Sequence, residues 1–210
     1  MKTLDGITFY VDPQKIKIAN KIRAWGGNVV HHIDEVLLPH RSYAVFENHE
    51  KRGIRLAAAR ARLINCVTEE FVHHSIFFDG LQDFNQYAPQ FLIDSKICTL
   101  NGFSRPLTAK KILVLSENVS GFLPLQYILL RSGAFVSFGF RHIQEFRFDE
   151  PEKSFDFVVC ISEMPVGTQQ TIRQMGVVPV LESYVYDSVI TGLEINPEAG
   201  DYIPAWYTEN

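Results

Sequence analysis

Ile22-Arg-Ala-Trp-Gly-Gly-Asn-Val-Val30 reads as the end of an amphipathic helix, a Gly-Gly turn and the opening of a buried strand. The double glycine gives the backbone freedom that a helix C-cap running straight into a strand requires. Upstream of it, Ile18, Ile22 and Trp25 recur at i, i+4 and i+7, which predicts a helix over 14–25 with one buried face. About a hundred residues later, Ile128-Leu-Leu-Arg-Ser-Gly-Ala-Phe-Val136 echoes the whole arrangement. The echo makes a duplicated α/β module the leading expectation, with function to be sought where the copies meet.

Working outward from the first turn, Thr8-Phe-Tyr-Val11 is a β-rich run closed by Asp12-Pro13. Residues 28–32 and 41–46 read as further strands. The alanines at 57, 58, 59 and 61 make 49–62 a strong helix former. Leu63-Ile-Asn-Cys-Val67 is a fourth strand, and Thr68 is placed to N-cap a helix whose first turn carries Glu69 and Glu70.

Around the second turn the order returns. Strands are predicted over 112–115, 134–138, 155–161 and 177–181, and helices over 124–131, 165–175 and 182–191. Pro124 is a favourable first residue for its helix. Residues 139–154 read as an irregular connection, and the apolar tail Tyr202-Ile-Pro-Ala-Trp-Tyr207 is expected to pack. Each half is thus β-α-β-β-α-β-α, an α/β fold with a short parallel four-stranded sheet flanked by helices. Matched landmarks are offset by about 104 residues for the first strands, 106 for the glycine turns and 113 for Phe71 and Tyr184. Expected boundaries are 1–88 for the first repeat, 89–107 for an ordered linker and 108–210 for the second repeat.

Composition narrows the function classes. The 210 residues are 46% hydrophobic and 21% charged, an ordinary globular balance. No apolar run is long enough for a bilayer span, and the N-terminus lacks the apolar core of a secretory signal. Cys66, Cys98 and Cys160 are widely spaced, with no CxxC pair, so free thiols and no zinc are expected. A net charge of −4 argues against wholesale nucleic-acid binding, although Lys51, Arg52, Arg55, Arg60 and Arg62 form a cationic run free of acids. His31-His32 and His73-His74 are adjacent pairs; neighbours on a strand face opposite ways, so no metal site is expected.

The ordered landmarks resemble the BRCT domain family. In the first half they are Leu4-Asp-Gly-Ile-Thr-Phe-Tyr, Trp25-Gly26-Gly27, Tyr43-Ala-Val and Asn65-Cys-Val-Thr-Glu-Glu-Phe-Val-His-His-Ser75. In the second they are Lys111-Ile-Leu-Val-Leu, Ser132-Gly133-Ala134, Phe157-Val-Val and Val178-Pro-Val-Leu-Glu-Ser-Tyr-Val-Tyr-Asp-Ser-Val189. The family usually carries Trp in the last helix, where this chain has Phe71 and Tyr184. The resemblance covers nearly the whole chain and implies two BRCT-like repeats in tandem, with both aromatics pinning their helices to the sheets.

The resemblance further implies a nuclear DNA-damage or checkpoint scaffold that binds a phosphorylated Ser/Thr peptide. In such pairs a hydroxyl and a backbone N–H after the first strand, with a Lys at the start of the second helix, hold the phosphate. Here Val11 and Asp12 stand after the first strand, without a hydroxyl, and Asp12 repels phosphate. The Lys position falls on or near Arg55, with Lys51 and Arg52 one turn earlier; an arginine fork reaches phosphate differently from an ammonium. In the second repeat Ser116 and Ser120 follow the first strand, the matching helix position is near Thr168, and Arg173 is that helix's cation. The candidate phosphate ligands are therefore Arg55, Lys51, Arg52, Val11, Asp12 and Ser116.

Two other readings compete with phosphopeptide capture. One is a phosphate-independent module whose partner docks at the linker; the other is a nucleotide-dependent α/β enzyme. The enzyme needs a glycine-rich loop after Val11 or Leu115, and neither GxGxxG nor a P-loop is there. With no catalytic triad, paired carboxylates or GxSxG elbow to assemble, no catalytic activity and no cofactor are expected. DNA binding through 51–62 and membrane association are not expected either.

Overall fold

The computed structural model describes residues 2–49, 53–90, 92, 105–116, 122–140, 154–199 and 201–208. The chain divides into two compact units, each built on its own sheet.

In the first unit the strands are β1 (Thr8–Tyr10), β2 (Asn28–Val30), β3 (Ser42–Phe46) and β4 (Asn65–Thr68), ordered β2-β1-β3-β4 and all parallel. Parallel neighbours need crossovers, supplied by helices. These are α1 (Ile16–Ala24) and α2 (Ile54–Ala61), of which the residues from Ala58 cluster with this unit and those up to Ala57 with the other, with α3 (Glu69–Phe77) following β4. Side-chain alternation sends Phe9, Val11, Val45 and Val67 to one face, where Ile18 and Ile22 of α1 and Phe71 and Val72 of α3 complete a core. On the other face lies Cys66, close enough to Arg60 of α2 for that guanidinium to act on the thiol.

The second unit repeats the plan. Its strands are β5 (Lys111–Ser116), β6 (Phe135–Phe140), β7 (Phe157–Cys160) and β8 (Val178–Leu181), ordered β6-β5-β7-β8 and again parallel. Its helices are α4 (Phe122–Arg131), α5 (Val166–Met175), α6 (Glu182–Thr191) and a short α7 (Ala205–Thr208). Leu113, Leu115, Val158 and Cys160 pack with Met164 and Ile172, and Trp206 of α7 closes over them.

Register refines the match between the repeats. Thr8 pairs with Asn28 as Lys111 pairs with Phe135, so the first strands are offset by 103 residues and the second by 107. The glycine that takes φ +89° is Gly26 in the first turn and Gly133 in the second, also 107 apart. Gly27 is not in the left-handed region. A Cβ there would stand 2.5 Å from Ile22 Cγ2, so its glycine serves close approach of helix and turn. Leu4 and Leu107, 103 apart, are both fully buried beside these turns.

Several local expectations are corrected. Helix α4 is described from Phe122, so Pro124 lies within it and is not its first residue. Thr68 holds the N-cap position of α3 in an extended conformation, yet its hydroxyl makes no capping bond and is buried without a hydrogen-bond partner. Helix α2 is described from Ile54. The expected linker falls largely on 91 and 93–104, outside the described residues, as do Ser120, Cys98 and most of the connection expected at 139–154, whose first two residues instead belong to β6. Of the linker's described start, Gln90 N–H donates to Asn48 O at 3.1 Å, and Leu92 is buried.

Candidate functional site

The strand ends where a phosphate was expected are built from β1 and its neighbours. Val11 is fully buried, and both its backbone groups are engaged. Its N–H donates to Val30 O at 3.0 Å. Its carbonyl accepts from His31 Nδ1 at 2.9 Å, leaving His31 Nε2 to accept from Arg23 Nη2 at 3.3 Å. Asp12 turns the chain into α1: its carboxylate accepts Gln14 N–H at 2.8 Å and its carbonyl accepts Lys15 N–H at 2.9 Å. Val11 thus has its N–H already spent, and Asp12 adds a negative charge.

Lys15, beside them, is the nearest cation in sequence, and it is held by two carboxylates. Its ammonium pairs with Glu47, just past β3, and with Glu69 at the start of α3, the latter at 2.9 Å. Those hydrogen bonds raise the Lys15 ammonium above its ordinary range, and Lys15 in turn lowers the Glu47 carboxyl. The carboxyl-terminal ends of β3 and β4 therefore bring Glu47 and Glu69 onto one lysine, while Asp12 turns the chain after β1. Among the described residues, the Lys15 ammonium is thus shared by two carboxylates.

Arg55 stands in the first turn of α2, half-buried. Lys51 and Arg52 lie outside the described residues. Ser116 is the last residue of β5, 5% exposed and paired in register with Phe140, so it is part of the sheet. The cationic run does not form one solvated face. Arg60 is 3% exposed, and Arg62 clips the loop after β2 by donating to Ile33 O at 2.8 Å and Val36 O at 3.1 Å.

The buried cysteines are chemically quiet: burial pushes the thiols of Cys66 and Cys160 up to about 12. Among the described residues no three His, Cys, Asp or Glu side chains gather to hold a metal, and no helix is long and apolar enough to cross a membrane. The histidine pairs make structural contacts instead. His73 Nδ1 lies 2.5 Å from Lys21 Nζ, joining α3 to α1, and His74 Nδ1 lies 3.0 Å from the Tyr87 hydroxyl.

No family model and no curated protein matches the sequence. Similarity is carried by the structure. The BRCT5-BRCT6 domains of S. pombe Brc1 share 14% identity with the chain, over 97% of this chain and 98% of theirs, with a TM-score of 0.53. The FHA/BRCT-repeat domain of S. pombe Nbs1 matches at TM-score 0.60 and 11% identity, over 88% of this chain and 59% of that one. Nbs1 in its complex with Ctp1 matches at 0.56 and 12%, over 88% and 56%. The chain thus spans little more than half of the Nbs1 chains it resembles. Two parallel four-stranded sheets flanked by helices, in this strand order and repeated, are the tandem BRCT fold.

Proposed function

We propose that the chain is a protein-interaction module and not an enzyme. It acts in nuclear DNA-damage or checkpoint signalling and engages its partner without holding a phosphate at the end of β1. The fold supports the interaction role, since Nbs1, whose structure resembles this one, has been solved in complex with a protein partner, Ctp1. One observation carries the phosphate-independent reading. Lys15 is committed to Glu47 and Glu69, beside an Asp12 that already caps Gln14. A phosphate arriving there meets carboxylates and loses its hydration without gaining a cation.

Phosphopeptide capture at the start of α2 is the second reading, favoured by Arg55 standing half-buried in that helix's first turn. Its ligands would be Arg55 with Lys51 and Arg52. A phosphoserine peptide library screened against its unphosphorylated twin separates the two, with Arg55→Glu as the control. The phosphate-independent module binds members of both libraries alike. Capture of phosphorylated members alone, abolished by Arg55→Glu, would replace it with the second reading.

A further inference from the structure

The face of the first repeat formed by α1 and α3 carries a groove of about 430 Å³ lined by Lys21, His73, His74, Ile76, Phe77 and Phe78. Its apolar floor is unusual for a surface. Phe77 is 79% exposed and Phe78 60%, and the two rings meet edge to face at 4.9 Å. A core needs neither ring, because α3 is already anchored by Phe71 and Val72. In the second repeat Tyr186 and Ile190 stand where His73 and Phe77 stand in the first, 113 residues on, and both are buried. The same helix face is therefore covered in one repeat and presents two phenylalanines in the other.

Charge sets the character of the groove. Helix α1 contains Lys17, Lys21 and Arg23 and no acid. Lys17 and Lys21 are one turn apart and share a side of the helix. Lys2 adds a third cation at the far end, where its ammonium donates to Ala24 O at 2.7 Å. Next to it Thr3 donates to the exposed Asp79 carboxylate at 2.5 Å, which fixes one negative charge at this end. Glu70 stands exposed at the opposite end of α3, and the two histidines contribute imidazole edges between the two acids.

We propose that this groove docks an acidic peptide segment of a partner protein. A bulky apolar side chain seats on Phe77 and Phe78, and its flanking carboxylates face Lys17, Lys21 and Lys2. The inference rests on the reading of the chain as an interaction module and gives that module a surface. Exposed aromatic anchors beside a basic rim are the arrangement in which a few residues carry most of the binding energy and charge sets the partner.

The test uses the full chain and a display library of peptides bearing one aromatic or leucine residue among Asp and Glu, with a matched library carrying Asn and Gln. Acidic members are expected to bind, more weakly as salt rises. Phe77→Ser and Lys21→Glu are each expected to weaken them about tenfold or more. Phe77 is exposed enough for its variant to fold, which an unchanged circular-dichroism melt verifies. Peptides that bind but ignore both variants overturn the groove and leave the module reading standing. Equal binding of the Asn/Gln library also overturns it. Failure of every library overturns the groove and counts against the module as well. Concentration-dependent self-association abolished by Phe77→Ser would show the groove to be filled by a second copy and reject the peptide.

Discussion

Tyr43 of β3 and Phe71 of α3 lie with ring centroids 4.6 Å apart, and Phe157 and Tyr184 repeat the contact at 5.3 Å in the second repeat. A third ring joins each pair from the segment that follows the last helix. Tyr87 meets Phe71 at 5.9 Å, and Tyr202 meets Tyr184 at 5.9 Å. Each outer tyrosine also hydrogen-bonds the residue three places after the pinning aromatic: Tyr87 to His74 at 3.0 Å, Tyr202 to Asp187 at 2.7 Å. The duplicated unit thus extends past its last helix, and its closing segment is locked by an aromatic ring with a polar tip.

Phe71 and Tyr184 are both fully buried, so truncation leaves a large cavity between helix and sheet. Phe71→Ala and Tyr184→Ala are each expected to cost about 3–5 kcal/mol in urea denaturation. Phe77→Ser, on the exposed side of the same helix as Phe71, should shift stability by no more than about 0.5 kcal/mol. Comparable losses at Phe71 and Phe77 would mean that α3 is not pinned through its buried face.

The glycine turns make a graded prediction. Gly176 takes φ +66°, and a Cβ added there would meet nothing within 4 Å, so Gly176→Ala carries only the left-handed backbone cost, about 1–2 kcal/mol. At Gly133, φ is +89° and a Cβ would stand 2.9 Å from Thr108 Oγ1 and 3.1 Å from its Cα. Gly133→Ala should therefore lower the denaturation midpoint more than Gly176→Ala. The reverse order would show that the Thr108 turn yields freely.

Much of this fold was legible in the sequence, because helix and strand periods alternate cleanly and the glycine turn recurs. The finer match was not. Sequence spacing aligned Gly27 with Gly133, whereas backbone conformation pairs Gly26 with Gly133. A dipeptide of two glycines does not reveal which one needs the positive φ and which one needs the missing Cβ. The candidate site was legible only in part. The missing hydroxyl at Val11 and the charge of Asp12 could be read directly. The capture of Lys15 could not, since Glu47 and Glu69 reach it only when parallel strands bring their carboxyl ends together. Likewise, Arg60 and Arg62 read in the sequence as members of one cationic run. Burial of one and the backbone carbonyls bound by the other follow from tertiary packing.

Protonation should loosen the α1–α3 face. Burial, and then the Lys21 ammonium, hold His73 below its ordinary 6.5, with His74 acting the same way and Glu69 and Glu70 opposing. The unfolded chain thus binds the proton more readily than the folded one, so stability rises with pH across this window. The contribution is complete above about pH 6.5 and is lost as pH falls toward the lower folded value. His73→Gln keeps an acceptor for Lys21 without titrating. Urea midpoints between about pH 5 and pH 7.5 should fall less steeply in this variant than in the parent. Parallel slopes would remove His73 from the pH response.

The final segment should be as essential to the second repeat as any helix. Leu181 N–H donates to Tyr202 O at 2.7 Å, continuing the edge of the sheet beyond β8. The Tyr202 hydroxyl serves Asp187, which is only 8% exposed, and Arg173 donates to Trp206 O while Trp206 packs on the core. Tyr202→Phe keeps the ring contact with Tyr184 and removes one donor from a buried carboxylate, an expected loss of about 1.5–3 kcal/mol. Deleting 201–210 removes the ring, the strand-edge bond and the indole together, and the second repeat should then lose its cooperative unfolding transition. Hydrogen exchange can separate the two effects. Tyr202→Phe should lower protection in α6 while β5 and β7 stay protected, whereas the deletion should expose the whole second sheet. A deletion variant that keeps a protected β5 would show that the repeat is complete at α6, and that Tyr202 and Trp206 only cover it.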